Sequence, residues 1–195
     1  NALYPLRIIG LNQDEKISGG MAGLTFMMGA TVDSYRYRND DEPAAIHESG
    51  NSLGDFLRNG GQLANSVKAL AEPVLKRQLY VSKSDSVAMN SGKCHILSAS
   101  ELGIAVTDNK QISNLGVGQN KDEIYMHFSS RGLSYGNVDG AVVKGMSLPG
   151  TWLRDTYPWE GSLNAHPPLA VSWDGAGIEV GTPMALRKIC PCFCL

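Results

Sequence analysis

Charge is scarce in this chain. Asp, Glu, Lys and Arg make up 18% of its 195 residues, and the net charge is −2. The densest basic clusters are only Lys76–Arg77 and Arg187–Lys188. No stripe of Lys and Arg exists to neutralise many phosphates, so there is no strong nucleic-acid signal. Long apolar runs are missing too. The best, Met21 to Ala30, is about half of what a membrane span needs, so no transmembrane segment is expected. No basic region followed by an apolar run marks a signal peptide. No Asn lies in an Asn-x-Ser/Thr sequon, which removes one cue for a secreted protein. The four cysteines are Cys94, Cys190, Cys192 and Cys194, three of them within the last six residues. That is no spaced disulfide framework. The expectation is a reduced, intracellular protein, cytoplasmic or held within a macromolecular assembly. The first residue is Asn1 rather than Met, which reads as a trimmed or processed N-terminus.

Familiar chemical motifs are incomplete. Leu115-Gly116-Val117-Gly118-Gln119-Asn120-Lys121-Asp122 has a G-x-G and a lysine. It lacks the third glycine of a dinucleotide fingerprint and the G-K-[ST] of a P-loop. His47, His95, His127 and His166 form no H-x-x-x-H or H-E-x-x-H pair, and no G-x-S-x-G elbow is present. No cofactor or metal site is expected, and catalytic residues remain unassigned. Asp14-Glu15 and Asp40-Asp41-Glu42 read as solvated turns.

What is present is an apolar fraction of 43%, enough for a packed core, with 22 glycines that punctuate short segments. Residues 2–11 read as a strand confined to an edge by Pro5. The run from Met21 to Ala30 suits a buried strand or a buried helix equally. Leu53, Phe56, Gly60, Leu63, Val67, Leu70 and Val74 follow a helical stripe. Ser52 reads as its cap. Asn59-Gly60-Gly61 divides it into a short helix and a second one from about Gln62 to Arg77, with Pro73 as a kink or restart. Beyond Lys83, short apolar runs alternate with turn residues: His95–Leu97, Leu102–Thr107, Glu123–Phe128, Ala141–Lys144, Leu169–Trp173 and Ile178–Val180. Asn137 to Gly140 suggests a hairpin turn, and Gly145 to Pro168 a packed aromatic loop. The fold class expected is α+β. It is a single domain over residues 1–195, mostly short antiparallel strands in a sandwich or partial barrel, with a helical segment near residues 50–78.

Three functional readings follow. The first is a non-enzymatic structural or assembly protein, a coat, matrix or scaffold-like component that forms homo-oligomers; low charge, abundant Gly and Asn turns and the missing motifs support it. The second is a serine hydrolase or protease. Here Ser18, in the turn Ser18-Gly19-Gly20, is the nucleophile, with Lys68 or a histidine as base. The third is a lipid-anchored adaptor, because Cys192-Phe193-Cys194-Leu195 fits C-a-a-X and its neighbours can be acylated. Cys190, Cys192 and Cys194 also share one face of an extended strand, where Cys94–His95 can join them around a soft metal or they can simply pack as small hydrophobes.

Overall fold

The computed structural model describes residues 4–31, 33–39, 41–42, 46, 50–79, 86–104, 124–134, 136–156, 168–175 and 177–195. The glycine loop 115–122, His47, His166 and the aromatic stretch 157–167 lie outside them. The described residues form a mixed α/β fold of two three-stranded antiparallel sheets, a two-stranded ribbon and a few short helices, with no closed barrel.

The first sheet joins both ends of the sequence. Strand β1 (Leu6–Leu11) pairs with β2 (Leu24–Met28), and β2 pairs with β8 (Cys192–Cys194). Of the strand expected over residues 2–11, the described residues form Leu6–Leu11, with Pro5 just outside the ladder where its missing N–H costs nothing. The Met-rich run is a strand. Its Thr25 and Met27 face one side and Phe26 the other, each in register with Cys194, Cys192 and Phe193. Between Ile8 and Gly10 the register slips by one residue, so Ile9 forms a bulge. The other edge of β8 is covered by single bridges from His95 to Cys192 and from Glu72 to Cys194.

The second sheet runs β5 (Trp152–Thr156), β6 (Pro168–Val171) and β7 (Ile178–Val180). The span expected as a packed loop after Gly145 therefore contains a strand, and every residue of β5 is buried. β3 (Leu75–Leu79) and β4 (Ser86–Asn90) make the ribbon.

The helical segment is shorter than its stripe. Helix α1 (Ser52–Arg58) is capped by Asn51, whose side chain accepts from the Gly54 amide, one residue earlier than expected. Gly60 and Gly61 take positive φ and end it, as the sequence suggests. Helix α2 spans only Asn65–Leu70, not Gln62 to Arg77. Proline at 73 biases Glu72 to an extended backbone, which pairs with Cys194, and the chain leaves as β3. The apolar period continues through Val74 because that residue is buried from a strand-like segment, not from a helix.

Two more expectations change. Met126–Ser129, here α3, and Gly140–Gly145, here α4, are helical where short strands were expected. In the second case Asp139 accepts from the Ala141 amide, so an aspartate expected in a hairpin turn caps a helix. The turn lies just upstream, where Ser134 bridges Asn137 around Gly136.

β5 and β8 are walls shared between cores. Leu153 and Cys192 face a cluster with Ile9, Met27, Phe128 and Leu169. Trp152 and Phe193 face a second one with Tyr37, Leu53, Leu57 and Ile96. This is the period of two of an extended chain, used to divide the interior in two.

Candidate functional site

Between these cores lies a sealed cluster of charged and polar side chains. Asp14 is 3% exposed, Lys76 2%, Glu101 1%, Arg154 0% and His95 2%. Side chains of these types are almost never fully buried unless paired. Each comes from a different element. Asp14 sits in the β1–β2 connection, and Lys76 on β3. Glu101 lies in a 3-10 turn (Ser100–Leu102), Tyr125 just before α3, and Arg154 on β5.

Backbone register sets the first pair. Lys16 bridges Val74 in antiparallel sense, and the Leu75 amide donates to the Glu15 carbonyl at 2.7 Å. Continuing that register places Asp14 opposite Lys76, and Lys76 Nζ donates to Asp14 Oδ1. Lys76 Nζ also donates to Glu101 Oε1 and to Tyr125 Oη, each at 2.6 Å. Glu101 Oε2 accepts from Arg154 Nη1 at 2.7 Å and from the Ser98 amide at 2.9 Å. The Tyr125 hydroxyl donates toward both Asp14 oxygens at 3.0 Å. Asp14 Oδ2 accepts further from Thr25 Oγ1 and, at 3.5 Å, from the Cys194 thiol.

The charges compensate locally. Burial pushes the Glu101 carboxyl up, but Arg154 and Lys76 outweigh it and hold the group well below the usual carboxylate range. Asp14 behaves likewise: burial opposes ionisation, and the Lys76 charge beside it lowers it on balance. Tyr125 is raised well above its ordinary value by burial and by the Glu101 and Asp14 charges, so its hydroxyl keeps its proton. Burial, then the Lys76 charge, pushes His95 down to about 3. Neutral His95 lies with Nε2 3.4 Å from Tyr125 Oη. Because the tyrosine proton is directed at Asp14, Nε2 carries the imidazole hydrogen. Among the described residues its Nδ1 has no protein partner, and His95 borders a cavity of about 10 Å³, room for one water, with Arg154 and Ser91.

Ser18 and Lys68 are not brought into this cluster. Ser18 lies exposed in a turn closed by the Lys16 amide donating to the Gly20 carbonyl. Lys68 lays its methylenes over Gly60. No hydrogen bond or ion pair among the described residues joins the two. The cysteine tail is a buried strand. Burial pushes the Cys94, Cys190 and Cys194 thiols up to about 12 and Cys192 well above its ordinary value. Cys94–His95 does come beside the tail, as the bridge from His95 to Cys192. Among the described residues no three His, Cys, Asp or Glu side chains gather as a metal-binding group.

The sequence reading missed Asp14, Lys76, Glu101, Tyr125 and Arg154 as a set. Asp14 and Lys76 lie in short charged runs that ordinarily mark solvated turns. No local spacing signals their meeting, because residues 14, 76, 101, 125 and 154 converge only through the fold. A surface groove of about 540 Å³ lies beside Trp173, Leu186 and Lys188; its described lining contains no carboxylate or imidazole to act as a general base. No helix among the described residues is long and apolar enough to cross a membrane. Comparison with known proteins returns no match to a protein family, to a curated protein or to a solved structure.

Proposed function

We propose that this chain is a non-enzymatic structural component that self-associates through the free edge of β1. The observation that carries the reading is the exposed side of that strand. Leu6, Ile8 and Leu11 are 54%, 52% and 50% exposed, although they continue the apolar surface of β2. No strand flanks β1 on its outer side among the described residues. Natural sheet edges are ordinarily blunted by charge or proline. The single charge on β1, Arg7, reaches instead to the Gly145 carbonyl. A second copy fits such an edge by antiparallel pairing about a twofold axis, where each β1 meets its own equivalent. Among the described residues, the acids and bases of the polar cluster are hydrogen-bonded to one another, which supports the same reading.

The strength of the contact can be bounded. Burying the remaining half of an aliphatic side chain contributes about 1 kcal/mol. Six such side chains across the twofold give about 6 kcal/mol, against an association cost of about 4–15 kcal/mol. Backbone pairing must supply the rest, so the dimer is weak and concentration-dependent. Light scattering or sedimentation equilibrium across a wide concentration series tests it. The mass should rise with concentration in the parent chain and stay monomeric in Ile8→Lys. A parent that remains monomeric at the highest attainable concentration overturns the proposal.

A further inference from the structure

We infer that Lys76 and Asp14 form an intramolecular amide, closing a covalent link between the β1–β2 connection and strand β3. The inference rests on the sealed cluster and not on self-association. Three features of the cluster point to it.

First, the partners are juxtaposed and held by backbone. Asp14 is cross-strand to Lys76, flanked by the Glu15–Leu75 hydrogen bond and the Lys16–Val74 bridge. Amine and carboxyl positioned this way react at effective molarities of about 10⁵ M or more.

Second, the pair is dry. Both side chains are 3% exposed. Burial opposes the charged form of Asp14, although Lys76 outweighs it on balance. It also withholds the water needed to hydrolyse the product.

Third, the surrounding groups match the reaction. Glu101 Oε1, 2.6 Å from Lys76 Nζ, accepts the ammonium proton and frees the nitrogen lone pair. Tyr125 sits against both Lys76 Nζ and the two Asp14 oxygens, so its hydroxyl can take a proton from nitrogen while giving its own to carboxylate. Thr25 Oγ1 and the Cys194 thiol donate to Oδ2, where negative charge develops as nitrogen adds to Cγ.

The step balances. The Nζ–Cγ bond forms and the Cγ–Oδ1 bond breaks. Oδ1 leaves as water, carrying one proton from the ammonium and one passed through Glu101 or Tyr125. Oδ2 becomes the amide oxygen. No oxidant, metal or nucleotide is consumed, and Glu101 and Tyr125 end in their starting protonation states.

Intact-mass spectrometry of the reduced, denatured full chain tests the inference. The parent should weigh about 18 Da less than its sequence, one water. Peptide mapping should then show a branched peptide joining the segment around Asp14 to that around Lys76, with no tryptic cleavage after Lys76. Lys76→Met should retain the full sequence mass of that variant. A parent at full sequence mass overturns the inference. So does a water loss that maps elsewhere, such as a succinimide at Asp139-Gly140 or Asp174-Gly175, or one that persists in Lys76→Met. Glu101→Gln should accumulate uncross-linked chain; complete cross-linking in that variant overturns the role of Glu101. If Glu101→Gln fails to fold, the parent peptide map still decides whether the amide exists.

Discussion

Acidification should destabilise this protein well before its carboxylates titrate, and His95 should be the cause. Burial holds its folded pKa down to about 3, against 6.5 for an ordinary histidine. The unfolded chain therefore takes up a proton at His95 as pH falls through 6.5, while the folded chain does not. Stability is fully present above the unfolded value and is lost progressively down to the folded one. The limiting slope is about 1.36 kcal/mol per pH unit, and the loss comes to about 3 kcal/mol between about pH 7.5 and about pH 4.5. It reaches roughly 4 kcal/mol near pH 3, where the Glu101 carboxylate adds a loss of the same sign. His127 is also shifted down, by burial and by Arg131, but it is largely solvated and its share is small. The decisive quantity is the difference between the parent and His95→Gln, which cannot titrate. Urea unfolding followed by tryptophan fluorescence at several pH values measures it. The parent should lose about 3 kcal/mol across that window and His95→Gln distinctly less. Equal pH slopes in the two proteins would refute the reasoning. An amide between Lys76 and Asp14 removes one charge of each sign near the ring and leaves its burial unchanged, so the direction stands.

Other outcomes follow from the packing. All four cysteines are free and buried with raised pKa values. An aromatic disulfide reagent should label none of them faster than the chain unfolds, and all four in urea; a burst of native-state labelling contradicts the buried tail. Gly54 lies in α1 with the Ile46 carbonyl inside contact distance of any added Cβ. Gly54→Ala should lower stability by about 2 kcal/mol, because overpacking of about 1–3 kcal/mol exceeds the gain of up to about 1 kcal/mol in helix propensity. A stabilised variant would mean that α1 can move away from Ile46.

Local chemistry was legible in the sequence where it acted locally. Asn59-Gly60-Gly61 ends a helix because positive φ is a property of the residues themselves. The run from Leu169 is a strand, as its apolar character indicated. Misreadings arose where tertiary structure supplied the missing partner. The stripe continued through Val74 because a strand and a helix both bury that position. Ala141-Val142-Val143 looked β-prone, yet the Asp139 cap and burial of Val143 made it helical. The charged cluster had no sequence signature. Its members are separated by up to 140 positions, from Asp14 to Arg154, and a buried Lys looks like any other lysine until its neighbours are known.

The placement of β8 has a consequence for timing. β2 cannot complete its ladder, nor the two cores their common wall, until residues 192–194 exist as chain. During synthesis the β1–β2 hairpin thus waits with the inner edge of β2 and both faces uncovered while more than 160 further residues, from Gly29 to Pro191, are made. Such long-range pairing folds slowly and leaves apolar strands exposed meanwhile. The chain should therefore depend on protection by chaperones until its last strand emerges, and loss of that strand should leave the hairpin prone to aggregate rather than merely less stable.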